Sequence, residues 1–312
     1  MSPLRRFADG RASPLLIASL LLFTLSFLAW LFGAPQPRAT PATLGAVIPV
    51  SSIEAAFVED TVREALRVAS PVVVVYADHL SDGTPEDLSY IAALRAALAA
   101  EKGLVWVPVA WFSGRTSRFW VRYLRWAGFP FVDTEYVMWL DADEVLDAPR
   151  FRAWWVSGGG LPATGKDTVK LANFVYFREA RFQSEQLEDS VVVCKRAALS
   201  SGDRFFGDAD KEREMFFDGL RGSRMAAALD GAPMVHHFSW VRSKAQMLQK
   251  VRAWGHRDDA RDWVKEVEAE FARPFRGVDF VHGHTYRTLA TPWIDELRRA
   301  RGGGWAAHGP VN

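Results

Sequence analysis

The run VVVVYAD at residues 72–78 constrains this chain most. It is apolar without alternation, rich in β-branched side chains and too short for an ordinary helix. A strand that is apolar on both sides must be covered on both sides, as in the centre of a parallel sheet. The flanks fit that position. LGAVIPV (44–50) reads as a second strand, and SIEAAFVEDTVREALRVA (52–69) spaces its apolar residues for a helix, with Ser52 as a cap and Pro71 as a stop. Downstream come a helix over 85–101, a strand LVWVPVAWF (104–112), a helix over 115–129 and a strand EYVMWL (135–140). Strand–helix alternation of this kind predicts an α/β fold, a Rossmann-like, mostly parallel sheet flanked by helices. Ligands of such sheets bind beyond the carboxyl ends of the strands. Here those ends are acidic: Asp78 closes the second strand, and Asp141 and Asp143 close the fourth.

The second half is less regular. TVKLANFVYFRE (168–179) and SVVVCKR (190–196) read as strands of a hairpin pair, PMVHHFSWV (233–241) as a further strand, and 243–256 and 258–272 as two amphipathic helices. Ahead of the sheet, Leu15 to Phe32 is an uncharged 18-residue apolar run. At about 1.5 Å per helical residue it nearly crosses a bilayer core of about 30 Å. Arg5, Arg6 and Arg11 precede it, which places the N-terminus in the cytoplasm. A cleaved signal peptide is the rival, but its apolar region is usually shorter. The layout expected is a cytoplasmic tail (1–14), a transmembrane signal anchor (15–33), a Pro-rich stem (34–43), one catalytic domain (44–300) and a frayed tail (301–312). That is a single-pass type II membrane protein with a luminal domain, Golgi-like in a eukaryotic cell.

Composition removes several alternatives. A net charge of +1 gives no electrostatic footprint for nucleic acid. Cys194 is the only cysteine, so neither an intrachain disulfide nor a cysteine-based zinc site is available. Its place in VVVCK predicts a buried, inert thiol.

The chemistry concentrates in VMWLDADEVL, residues 137–146. In an extended Asp-x-Asp the side chains at i and i+2 point the same way, and two adjacent carboxylates repel. A divalent cation relieves that repulsion, and hard oxygen ligands suit Mg²⁺ or Mn²⁺. Such an ion clamps a diphosphate and stabilises its departure. The plain alternative is a solvated acidic turn. Two further segments stand out. Asp78-His79-Leu80-Ser81-Asp82-Gly83 is an acidic strand end followed by a turn, suited to a nucleotide base and ribose. VHHFSWVR (235–242) puts two histidines at a strand, one of which can complete a metal site begun by two aspartates.

Together these segments resemble the family 2-like glycosyltransferases of the GT-A fold, over most of residues 44–256. IPV stands where the first strand of that fold ends, GRTSRFWVRYLRWAGFPFVDTEYVMWLDADE resembles the segment leading to the metal-binding D-x-D, and HFSWVRSKAQMLQKVRAWGH resembles a His-aromatic stretch followed by a Lys-bearing helix. The D-D-G-S run and the Arg-Asn pair of the family are absent, with Arg115 and Arg118 as the nearby substitutes for the pair. The resemblance implies a nucleotide-sugar donor (a UDP- or GDP-sugar), Mn²⁺ or Mg²⁺, and a glycan, lipid or protein acceptor. It makes Asp143 the main metal ligand with Asp141 assisting, and His237 a metal or diphosphate contact. Asp78 and Asp82 become nucleotide contacts, and Arg115, Arg242 and Lys244 diphosphate contacts. An inverting reaction needs one general base, and the acidic cluster GDADKERE (207–214) offers Asp208 and Asp210, with Glu212 behind them. Two rivals are weighed. Asp141 and Asp143 also fit the paired aspartates of haloacid-dehalogenase-like phosphotransferases, with Asp258-Asp259 as a distal metal pair. The third reading is a non-catalytic, membrane-anchored carbohydrate-binding protein, since fold does not fix function.

Overall fold

The structure is a computed structural model that describes residues 43–157, 160–199, 205–206, 213–217, 219–255, 257 and 261–302. The expected anchor and its tail, the candidate bases Asp208 and Asp210, and the pair Asp258-Asp259 lie outside the described residues. Among the described residues no helix is long and apolar enough to cross a membrane.

The first half alternates as its sequence requires. β1 (Leu44–Val50), α1 (Ala55–Leu66), β2 (Val72–Ala77), α2 (Ser89–Ala97), β3 (Leu104–Val109), α3 (Ser117–Gly128) and β4 (Tyr136–Trp139) follow one another. The four strands pair in parallel in the order β3-β2-β1-β4. Alternate residues feed opposite cores. Ala46, Ile48, Val72 and Val74 pack with Val58 and Val62 of α1 and Leu94 of α2. Val47, Val73 and Val75 pack on the other face with Trp120 of α3. α3 lies close to the sheet because Gly128 has no side chain: a Cβ there would stand 2.6 Å from Val47 Cγ1 and 2.8 Å from Val75 Cγ2.

From β4 onward the sheet is mixed. After β5 (Glu144–Leu146), α4 (Ala148–Val156) and α5 (Leu161–Thr164), the chain forms the expected hairpin from β6 (Thr168–Phe177) and β7 (Glu179–Lys195). β7 is far longer than its apolar end SVVVCKR suggests. Arg178, at φ 59, turns the chain, and the polar stretch from Glu179 is already strand. That stretch is partly exposed, so it carries Glu, Arg and Gln in place of an apolar alternation. The other end is buried: β7 pairs antiparallel with β4, setting Val192 opposite Trp139, and the Trp139 indole N–H donates to the buried Cys194 thiol at 3.2 Å.

β8 (Gly222–Ala226) joins β6, and β9 (Val235–Trp240) lies between β6 and β5. α6 (Lys244–Ala253) starts from a reciprocal cap between Ser243 and Gln246. α7 (Trp263–Phe271), β10 (Tyr286–Thr288), which pairs with β7, and α8 (Trp293–Ala300) complete the described elements.

Candidate active site

The acidic turn is built by its neighbours. β4 delivers buried Leu140 and then Asp141, and the turn to β5 closes as the Glu144 N–H donates to the Asp141 carbonyl at 3.1 Å. The Glu144 carboxylate returns the contact, accepting from the Asp141 N–H at 2.7 Å. β9 fixes the position of the turn, since the Phe238 N–H donates to the Asp143 carbonyl at 2.8 Å. α1 does so from the other side, through the Thr61 hydroxyl donating to the Ala142 carbonyl at 2.8 Å.

Each carboxylate has its cations. Asp141 accepts from Arg125 at 2.5 Å and pairs with Arg213. Arg213 also forks onto the fully buried Glu144, at 2.7 and 3.0 Å. Asp143, only 3% exposed, uses Oδ2 for Arg242 at 2.9 Å and Lys250 at 3.3 Å. Burial alone would raise the Asp141 carboxyl, but Arg213, Arg125, His237 and Lys250 outweigh it and hold it well below the usual carboxylate range. The same contest lowers Asp143, with burial and Asp141 opposed by Lys250, His237 and Arg242.

Asp143 Oδ1 is left facing His237 Nε2 at 3.6 Å, and Glu144 Oε1 lies 3.9 Å from the same nitrogen. Two ligands at about 2.1 Å from one divalent ion in an octahedral site stand about 3.0 Å apart when adjacent and about 4.2 Å apart when opposite. A carboxylate oxygen and an imidazole nitrogen are donors a divalent cation accepts, and a small side-chain shift from 3.6 Å would bring Asp143 and His237 to the adjacent spacing. Both oxygens of Asp141 are engaged by arginines, so a metal there would share its carboxylate with Arg125 or Arg213. His237 Nδ1 has no hydrogen-bond partner among the described residues.

These groups open onto a cavity of about 690 Å³. Asp141, Asp143, Glu144 and His237 line it, as do Lys170, Arg213 and Lys250. Trp240, Trp254 and Trp263 form an aromatic part of the wall.

The two histidines are separated by strand parity. His237 faces the cavity, whereas His236 is buried with Nδ1 2.7 Å from the Tyr176 hydroxyl and its ring stacked 3.6 Å from Trp293. Burial holds the His236 imidazole well below its ordinary pKa, so it stays neutral in the core.

Other residues singled out in the sequence stand elsewhere. Asp78 Oδ1 accepts from the Trp111 N–H at 2.8 Å and Asp82 closes its own turn on the Thr84 N–H at 2.9 Å; their neighbours His79, Leu80 and Ser81 are the ones on the cavity wall. Arg115 lies over the Phe119 ring at 5.0 Å, Arg118 is half-buried in α3, and Lys244 is exposed at the start of α6. Arg242, 2% exposed, stands behind Asp143 and also donates to the Ser239 carbonyl at 3.0 Å. It orients the carboxylate from behind.

Sequence reasoning missed Arg125, Arg213, Glu144 and Lys250. One signal was present: Arg118, Arg122 and Arg125 recur at helical spacing in α3. Arginine at such spacing ordinarily marks a solvated face, yet Arg122 and Arg125 are buried. Of the acidic cluster at 207–214, Glu214 is described. It lines the cavity and pairs with Lys170 at 2.8 Å and Arg224 at 3.1 Å.

No family model matches the chain, and no curated protein matches it. Several solved structures do. The mannosyltransferase PcManGT from Pyrobaculum calidifontis, in complex with GDP-Man and Mn²⁺, is 16% identical at a TM-score of 0.42, covering 81% of this chain and 77% of that one. Residues 1–349 of S. aureus TarS are 13% identical at 0.41, covering 74% and 73%. A 4-diphosphocytidyl-2C-methyl-D-erythritol synthase is 14% identical at 0.39, covering 61% and 92%. Likenesses this distant span more than one kind of reaction, so the functional reading rests on the residues of the site.

Proposed function

We propose that this chain is a metal-dependent glycosyltransferase of the GT-A type, moving a sugar from a UDP- or GDP-sugar to an acceptor hydroxyl with inversion. One observation carries the reading. A D-x-D turn at the carboxyl end of a central parallel strand presents Asp143 Oδ1 and His237 Nε2 together at the wall of a cavity sized for a nucleotide sugar. The aromatic wall suits a base or sugar ring, and Lys170, Arg213 and Lys250 suit a diphosphate.

Asp143 and His237 would hold Mn²⁺ or Mg²⁺, with Asp141 assisting, and the ion would supply charge neutralisation for the departing diphosphate. Arg242 and Lys250 keep the Asp143 carboxylate in place through Oδ2. In the single displacement the acceptor oxygen bonds to the anomeric carbon and the bond to the diphosphate oxygen breaks. The acceptor proton passes to a carboxylate, and the segment 207–214 supplies the candidates Asp208 and Asp210. Asp78, Asp82, Arg115 and Arg118 remain candidate donor contacts, and a glycan, lipid or protein the acceptor class. The apolar run at 15–33 makes the chain a type II membrane protein on this reading.

The test screens nucleotide sugars for transfer and hydrolysis by the full chain with Mn²⁺, Mg²⁺ or EDTA, beside Asp143→Asn, Asp208→Asn and Asp210→Asn. Metal-dependent release of UDP or GDP, lost in Asp143→Asn, supports the proposal. The true base is the position whose variant keeps donor binding but loses about 10²–10⁴-fold in kcat. Release of phosphate from simple phosphate esters, with no nucleotide-sugar turnover, would instead favour the phosphotransferase. Sugar binding without turnover of either substrate would favour the binding protein.

A further inference from the structure

A second set of donors lies outside the acidic turn. Among the described residues, Glu188, His282 and His284 bring one ligand atom each within 4.8 Å of one another. Glu188 belongs to β7, and both histidines belong to the loop between α7 and β10. His282 Nδ1 stands 3.0 Å from Glu188 Oε1, and His284 Nδ1 stands 3.7 Å from the same oxygen.

The backbone of the loop is fixed on both sides of the histidines. Asp279 is buried and accepts three backbone N–H groups, from Val281 at 2.7 Å, His282 at 2.6 Å and His284 at 3.0 Å. Gly283 adopts φ 73 between the two histidines, a conformation that costs glycine little. On the far side the Thr285 N–H donates to Gln186 Oε1 at 2.9 Å, and the Glu185 N–H donates to the Thr285 carbonyl at 2.8 Å. The loop is thus held in shape by Asp279 and tied to β7 at Thr285, next to the cluster.

A single His–Glu ion pair accounts for one imidazole only. His284 Nδ1 is buried and has no hydrogen-bond partner among the described residues, although a carboxylate oxygen lies 3.7 Å away. Buried polar atoms without partners are uncommon, and a place for a bound ion is one of the standard causes. The spacing supports that cause. Adjacent ligands at about 2.0–2.2 Å from a divalent ion stand about 3.0 Å apart in octahedral geometry and about 3.4 Å apart in tetrahedral geometry, a spacing that His282 meets at 3.0 Å and that His284, at 3.7 Å, reaches by a small ring shift.

We propose that Glu188, His282 and His284 bind a divalent first-row transition metal such as Zn²⁺, at a site separate from Asp143 and His237. Two imidazoles and one carboxylate favour that class over Mg²⁺. Three protein ligands leave a position open, the arrangement of a metal that meets a substrate. Glu188 and His282 line the same cavity as Asp141 and Asp143, so an oxygen donor of a molecule bound there would complete the coordination. The metal site itself does not depend on the transferase reading.

The experiment uses the untagged full chain, stripped with chelator and kept in excess Mg²⁺ to occupy oxygen-rich sites. Co²⁺ is titrated and followed by its visible absorption, and bound Zn²⁺ is counted by equilibrium dialysis. The proposal expects a Co²⁺ spectrum that Zn²⁺ abolishes, at least tenfold weaker binding in Glu188→Gln and in His284→Ala, and an unchanged spectrum in Asp143→Asn. Near-UV circular dichroism confirms folding of each variant. His282→Ala, which removes a ring 41% exposed, serves if His284→Ala fails to fold. Absence of Co²⁺ and Zn²⁺ binding by the wild type, binding unaffected by Glu188→Gln and by the histidine variants, or loss of the spectrum in Asp143→Asn would each overturn it.

Discussion

Replacing Asp143 by alanine separates two accounts of the acidic turn. If Asp141 and Asp143 simply repel each other until a metal arrives, removing one should stabilise the metal-free protein. The structure requires the opposite. Asp143 is 3% exposed, and its Oδ2 is shared by two buried cations, Arg242 at 2.9 Å and Lys250 at 3.3 Å. Without the carboxylate, the nearest anion left to Arg242 is Glu54, at 3.6 Å. Removing one partner of a buried ion pair costs about 3–5 kcal/mol. At about 2–4 °C per kcal/mol for a domain of this size, Tm should fall by about 6–20 °C. Asp143→Asn keeps an acceptor oxygen for Arg242 and should fall less. The assay is thermal unfolding in EDTA, followed by circular dichroism at neutral pH. The effect has a pH signature. Asp143 titrates below its ordinary value of 3.8 in the folded state, so its contribution is present above that value and is lost as pH falls through the folded pKa. The gap between wild type and Asp143→Ala should therefore hold near neutral pH and close in acid. A variant as stable as the wild type in EDTA at neutral pH would refute the pairing.

Two further predictions follow from other places in the fold. Burial raises the Glu86 carboxyl from 4.5 to about 7, against hydrogen bonding from Ser52, so the folded state keeps the proton longer than the unfolded chain. That stability is fully present below pH 4.5 and is lost as pH rises through about 7; urea midpoints across this range should flatten in Glu86→Gln. Gly128→Ala puts a Cβ within 2.6 Å of Val47 and 2.8 Å of Val75, so it should cost about 1–3 kcal/mol by chemical denaturation despite alanine's better helix propensity. A stabilised Gly128→Ala protein would show that α3 can lift from the sheet.

The amino-acid sequence alone determined the first half of the fold. β1 to β4 and α1 to α3 are written in local apolar patterns, and each pattern matches the element that forms. The acidic turn was legible for the same reason, because a buried strand ending in Asp-Ala-Asp-Glu points its acids past the sheet edge. The short strands β5, β8 and β10 were not, since three to five residues are too few to show a period. Tertiary structure also decided which histidine meets the cavity. The pairing of β9 with β5 places His237 opposite Glu144, and a slip of one residue would have presented His236 instead. It also decided the electrostatics of the turn. Arg125 precedes Asp141 by 16 positions, and Lys250 follows Asp143 by 107. Local pattern reports which face of an element is apolar; it carries no record of distant side chains that converge only when the sheet closes, and those neutralise the aspartates here.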